Sequence, residues 1–212
     1  LGDRQGIAKI LLNLGNVAHL QGDYEAARKS YQQSLDLAQA LGDRQVIAKI
    51  LLNLGLVAQL QGDYEAARKY YQQSLDLAQA LGDRQGIASI LGNLGNLAQS
   101  QGDYEAARKY YQQSLDLAQP LGDRYAIGRV LWGQASVAAK TGRKAEARQL
   151  LDQAIQIFAA LGDPALADAQ KERAALGNKP DPRQCRKTCD GLQAKGKLEV
   201  PVAECVQKLC AD

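Results

Sequence analysis

Residues 41–80 read LGDRQVIAKILLNLGLVAQLQGDYEAARKYYQQSLDLAQA, and the fold can be read from this stretch. Asp43, after Gly42, can accept hydrogen bonds from the free amides at the start of a helix. From there Ile47, Leu51, Leu54 and Ala58 follow at helical spacing, and at about 100° per residue they share one apolar stripe. Gly62 stops the helix and Asp63 caps a second one. That second helix carries Tyr64, Ala67, Tyr71, Leu75 and Ala78 on one face, with Glu65, Arg68, Lys69, Gln72 and Asp76 on the other. Neither helix can bury its stripe alone, so the pair must fold together and stack on its neighbours.

The neighbours are copies of the same unit. Leu-Gly-Asp recurs at Leu1, Leu41, Leu81, Leu121 and Leu161, a period of 40 residues. Repeats one and two (1–40 and 41–80) differ only at Gly6/Val46, Asn16/Leu56, His19/Gln59 and Ser30/Tyr70. Repeat three (81–120) is close to them and repeat four (121–160) diverges. A half-repeat begins at 161 and the pattern ends near Gly177. Small residues recur where two helices would cross: Gly15, Gly55, Gly95 and Ala135 at one register, Ala27, Ala67, Ala107 and Ala147 at another. Glycine inside a helix costs about 1 kcal/mol relative to alanine, so three at one register imply close backbone approach.

Composition agrees. The chain of 212 residues is 46% hydrophobic but only 5% aromatic, and Ala, Leu, Gln, Lys, Arg and Glu dominate, which favours helix over a sandwich or barrel. No apolar run approaches the roughly 18 residues that span a bilayer. The net charge of +3 is too small to imply nucleic acid or a membrane surface as partner. Its excess sits in repeat four, around Arg129, Lys140, Arg143, Lys144 and Arg148, where a solvated helical face accounts for it. The chain has no Met and opens on Leu1 at the phase of the later repeat boundaries, so a processed, truncated or partial chain is expected.

The run Leu51-x-x-Leu54-Gly55-x-x-Ala58, then Gly62-Asp63-Tyr64, Ala67 and Tyr71, resembles the tetratricopeptide repeat signature. The period of 40 is similar to the long variant of kinesin light chains, Pins-type adaptors and large bacterial repeat proteins. Ser34, Ser74 and Ser114 stand where that family usually has Ala, and repeat four has Gln134-Ala135 for the Leu-Gly pair. The resemblance implies an all-α, right-handed superhelix over 1–177: four repeats and a terminal helix, 161–177. It further implies that the first helices line a concave groove.

Within the chain, the repeats vary on one face of the first helix. Unit positions 9, 12, 16, 19 and 20 fall within an arc of about 100°, opposite the apolar stripe of positions 7, 11, 14 and 18. The polar face of the second helix stays constant in the first three repeats. Groove candidates are Lys9, Asn13, Asn16 and His19; Lys49, Asn53, Leu56 and Gln59; Asn93, Asn96 and Gln99; and Arg129, Trp132 and Ser136. Asn13, Asn53 and Asn93 form a ladder. A carboxamide both donates and accepts, so such a ladder can clasp the backbone of an extended chain, as in the long-repeat relatives, or it can bond to its own neighbours. The two-carboxylate clamp of some family members is not expected, because Leu12, Leu52 and Gly92 occupy one of its lysine positions. Trp132, the single Trp, can anchor a ligand side chain or pack on the chain's own C-terminal segment. His19 is the single His and reads as a surface residue.

All four cysteines lie in the last 28 residues: Cys185, Cys189, Cys205 and Cys210, beyond Pro180-Asp181-Pro182. Residues 178–212 are expected to form a small Cys-rich α-hairpin tied by disulfides, since so short a segment buries too little to fold unaided. Three connectivities are open. Nested pairing of Cys185 with Cys210 and Cys189 with Cys205 suits a hairpin, although the second spacing fits imperfectly. Zinc is the rival, at spacings wider than the common knuckle. Disulfides would place the protein outside the cytosol, as a periplasmic, cell-surface or secreted chain; reduced thiols would leave it cytoplasmic.

The function expected is a non-catalytic scaffold that binds a protein or peptide segment in its groove. A structural protein stacking head-to-tail through homotypic contacts is the alternative. No phosphate loop, paired-His site or nucleophile–base set is present, so neither catalysis nor a cofactor or metal is expected.

Overall fold

The computed structural model describes residues 3–177 and 200–209, with Arg186, Asp190 and Gln193. Every regular element among them is an α-helix. In chain order these are α1 (Arg4–Leu20), α2 (Tyr24–Leu41), α3 (Arg44–Leu60), α4 (Tyr64–Leu81), α5 (Arg84–Ser100), α6 (Tyr104–Leu121), α7 (Arg124–Lys140), α8 (Lys144–Leu161), α9 (Ala165–Ala175) and α10 (Val202–Leu209). Helices α1 to α8 fall two to each of the four repeats. The chain divides into two compact units, residues 1–134 and 135–212.

The helix boundaries follow from the aspartates and glycines of the repeat. Asp23 Oδ1 accepts from Ala26 N at 3.0 Å and Asp43 Oδ1 from Val46 N at 3.1 Å; Asp63, Asp83 and Asp103 do the same in their turn. Each such cap is worth about 1 kcal/mol. The second helices end on Gly42, Gly82 and Gly122, left-handed at φ 65–68°, a conformation that glycine adopts without steric cost.

In the first unit, the core forms where one repeat meets the next. Ala27, Tyr31, Leu35 and Ala38 of α2 cluster with Ile50, Leu51, Leu54 and Val57 of α3, and the same positions of α4 and α5 repeat the arrangement. Gly15, Gly55 and Gly95 make this packing possible. A Cβ on any of them would lie 2.4–2.5 Å from a ring carbon of Tyr31, Tyr71 or Tyr111 respectively, so the aromatic ring lies directly on the helix backbone. Ser34, Ser74 and Ser114 are buried and donate to the carbonyls of Ala8, Ala48 and Ala88 at 2.7–2.8 Å, which ties the two helices of each repeat together. The outer face of α1 is uncovered: Ile10, Leu14 and Val17 are 60, 52 and 51% exposed, whereas Ile50, Leu54 and Val57 at the same register are 0, 2 and 1% exposed.

In the second unit, Ala147, Leu151, Ala154 and Phe158 of α8 are buried, and α9 packs on that helix through Ala165 and Ala169. Arg173 of α9 pairs with Asp152 at 2.8 Å. Arg143 takes the capping place of aspartate at the start of α8, makes no cap, and pairs instead with Glu146. Cys205 of α10 is buried. Cys185, Cys189 and Cys210, and with them the expected hairpin, lie outside the described residues.

Candidate functional site

The buried tyrosines shape the exposed face of the first helices. Each ring is buried, so its hydroxyl must find a partner at the edge of the core. Tyr31 donates to Asn16 Oδ1 at 2.8 Å and Tyr71 to Gln59 Oε1 at 2.9 Å. The Tyr111 hydroxyl lies 2.7 Å from Asn96 Oδ1 and 2.8 Å from Gln99 Oε1. A hydroxyl has one proton, so one of these two carboxamides turns its NH2 toward it. Four of the groove candidates, Asn16, Gln59, Asn96 and Gln99, thus satisfy the chain's own core. Repeat four shows the same logic in reverse: Leu151 replaces the tyrosine, and Ser136 and Ala139 replace the carboxamides.

The asparagine ladder is not uniform. Asn53 Nδ2 donates to Asn16 Oδ1 at 2.9 Å, so this rung bonds to the preceding repeat. At the corresponding register the acceptor for Asn93 would be Leu56, which has none. Asn93 is half-buried and has no hydrogen-bond partner among the described residues. Asn13 is exposed on α1, and Gly133 stands at the ladder position of repeat four, where a Cβ would meet the Tyr111 ring at 2.6 Å.

Asn53, Leu56, Asn93, Asn96 and Arg129 come together around a cleft of about 460 Å³ between α3, α5 and α7. Its floor includes Tyr111 and Ser114 of α6, and Leu52, Ser89, Gly92, Tyr125 and Val130 complete much of the wall. Lys9, Asn13, Asn16, Lys49, Gln59 and Trp132 lie outside this lining; Lys9 and Lys49 are exposed. Tyr125 was missed by sequence reasoning, although it stands where the other repeats have Gln5, Gln45 and Gln85. It is 56% exposed, and the Arg129 guanidinium lies 5.9 Å from its ring centre and 5.7 Å from that of Trp132. These contacts hold the cation at the cleft without a carboxylate partner among the described residues.

Charge is segregated. Helices α1, α3, α5 and α7 contain no Asp or Glu, while Lys9, Lys49 and Arg129 fall on the variable arc. Within the four repeats the carboxylates occupy the caps and the second helices. Glu25 of α2, for example, is held below its usual range by hydrogen bonds from Arg28 and Gln61. His19 departs from the surface position expected of it: it is half-buried against Tyr24, with Nε2 enclosed and unbonded. Unit position 17 also varies, Val17 and Val57 against Leu97, and the latter two are buried, so variation is not confined to the groove face. No cluster of His, Cys, Asp and Glu able to hold a metal occurs among the described residues. No helix among them is long and apolar enough to cross a membrane.

Against this geometry, the tetratricopeptide repeat family model matches residues 6–80 and 86–174, and the chain belongs to that family. Solved structures with the same fold include aspartyl phosphate phosphatase F from Bacillus subtilis, with a TM-score of 0.76 and 16% identity over 92% of this chain. This chain spans about half, 51%, of the phosphatase. BtubC from P. vanneervenii aligns over 97% of this chain and 79% of its own, with a TM-score of 0.69 and 18% identity. The apo form of RapI aligns over 92% and 72%, with a TM-score of 0.74 and 12% identity. No curated protein sequence matches the chain.

The tyrosines give a pH signature. Burial raises the Tyr31 phenol from 10.0 to about 12, and raises Tyr71 and Tyr111 in the same direction. A phenol held neutral in the fold contributes stability that is intact below its unfolded value, about 10, and is lost as pH climbs toward the folded value. The urea unfolding midpoint should therefore be level up to about pH 9 and fall above about pH 10. Tyr71→Phe should flatten that fall, and an equal decline in the variant would contradict the assignment.

Proposed function

We propose that this chain is a protein-interaction scaffold that holds an extended, net-acidic polypeptide segment along the first-helix face. The cleft between α3, α5 and α7 carries the reading: it combines the unpartnered Asn93 carboxamide with a guanidinium and no carboxylate on the bordering first helices. A half-buried carboxamide without a partner gains from bonding a peptide group, and three unopposed cations attract negative charge and repel basic competitors. The fold belongs to a family whose members bind protein partners, and nothing in the cleft resembles a nucleophile with its base. Random peptides displayed on phage and selected on the immobilised chain test this. The enriched sequences should be acidic and should lose binding to the folded Lys49→Glu/Arg129→Glu variant. Capture should also weaken in a folded Asn53→Ala/Asn93→Ala variant. Enrichment of basic sequences, or equal capture by the charge-reversed variant, contradicts it.

A second reading is homotypic assembly through α1, favoured by the exposed Ile10, Leu14 and Val17. An open head-to-tail filament needs a complementary apolar face, and the exposed side of α9 carries Asp168 and Lys171. Two-fold pairing of α1 faces fits better. Sedimentation equilibrium should then show a dimer that dissociates on dilution and is abolished by Leu14→Lys; a monomer at every concentration ends this reading.

For the tail, we propose disulfide pairing of its cysteines and an extracytoplasmic location. The burial of Cys205 and its bonded sulfur support this. Mass spectrometry without reductant should find all four cysteines blocked to alkylation; alkylated thiols in fresh material from the native host would refute it.

A further inference from the structure

Gly92 and Gly95 lie three residues apart on α5 and differ in kind. A Cβ on Gly95 would strike the Tyr111 ring at 2.5 Å, so glycine is required there. A Cβ on Gly92 would meet only Ser114 Oγ and Val130 Cγ2, each at an ordinary 3.7 Å. No close packing explains Gly92, yet a glycine inside a helix is less stable than alanine. Repeats one and two have Leu12 and Leu52 at this register. The missing side chain leaves space in the cleft, with Leu52, Leu56 and Val130 around it and Asn93 at its side. The same substitution of Leu56 for asparagine that adds an apolar wall also deprives Asn93 of an acceptor. Two departures from the repeat thus act on one spot, one enlarging it and the other freeing a backbone-binding group.

We infer that the Gly92 hole is a specificity pocket that accepts one large apolar side chain of the bound acidic segment, while Asn93 bonds the peptide group beside that residue. This rests on the reading of the first-helix face given under Proposed function. The apolar wall rewards burial of a leucine- or phenylalanine-sized group, and the neighbouring Arg129 favours acidic residues flanking it. Leu12 and Leu52 fill the register in their own repeats, so the pocket occurs once along the face and fixes the register of the segment.

The probes are fluorescein-labelled Glu-Asp-Ala-Ala-Xaa-Ala-Ala-Glu-Asp amides with Leu, Phe, Ala or Lys at Xaa, followed by fluorescence anisotropy. The Leu or Phe peptide should bind roughly 10- to 100-fold more tightly than the Ala and Lys peptides. Gly92→Leu restores the residue of the other repeats and fills the hole. It should abolish that preference without lowering the thermal midpoint, and Gly92→Ala should reduce it partially. Binding independent of Xaa, in the native chain and in Gly92→Leu alike, overturns the pocket and leaves the scaffold reading standing. Absence of binding by all four peptides overturns both.

Discussion

An aromatic ring pressed against a glycine is the contact on which the rest of this structure depends. In each of the first three repeats, Tyr31, Tyr71 or Tyr111 lies directly on the backbone at Gly15, Gly55 or Gly95, closer than any Cβ would permit. That contact lets the two helices of a repeat approach and places the ring in the core shared with the next repeat. It also buries a phenol, and a buried phenol needs a hydrogen-bond partner. Carboxamides at unit positions 16 and 19 answer that need at the rim. The divergent fourth repeat follows the same rule with the opposite choice. Leucine at the tyrosine register comes with alanine at the glycine register and with Ser136 and Ala139 at the rim.

The exposed face inherits its chemistry from this rule. Where position 16 is Asn, it bonds the tyrosine and, in repeat one, also receives Asn53 of the next repeat. Where it is Leu56, the tyrosine turns to Gln59, and Asn93 is left without a partner beside an apolar wall. Small changes around a fixed core thereby leave the half-buried Asn93 carboxamide unpaired among the described residues, where Asn53 in the preceding repeat is satisfied. Within the four repeats carboxylates are kept to the caps and second helices, so the cleft beside Asn93 is cationic as well.

Helices, boundaries and the buried stripes of the first three repeats were legible in the sequence because they rest on local rules: aspartate before each helix, glycine in the turn after it, and apolar spacing in between. The face that varies was legible too, since near-identical repeats serve as one another's controls. The hydrogen bonds across helices were not. Asn16, Gln59 and Asn96 look like free polar groups until the tyrosine from the second helix is placed beneath them, at a separation of 12 or 15 residues that no helical wheel displays. His19 was hidden for the same reason, as its burial depends on Tyr24 across the turn. Gly92 and Gly95 are indistinguishable by type, and only the neighbours of each absent Cβ separate a packing glycine from an open one.

The pairing of glycine with tyrosine is tested most directly by a double-mutant cycle on Gly55→Ala and Tyr71→Leu, read by urea unfolding. In the native background Gly55→Ala should destabilise by about 1–3 kcal/mol, despite alanine's better helix propensity. In the Tyr71→Leu background, which copies the fourth repeat, the same substitution should cost nothing or stabilise. An equal cost in both backgrounds would show that the ring does not set the identity of that residue, and the account would fail.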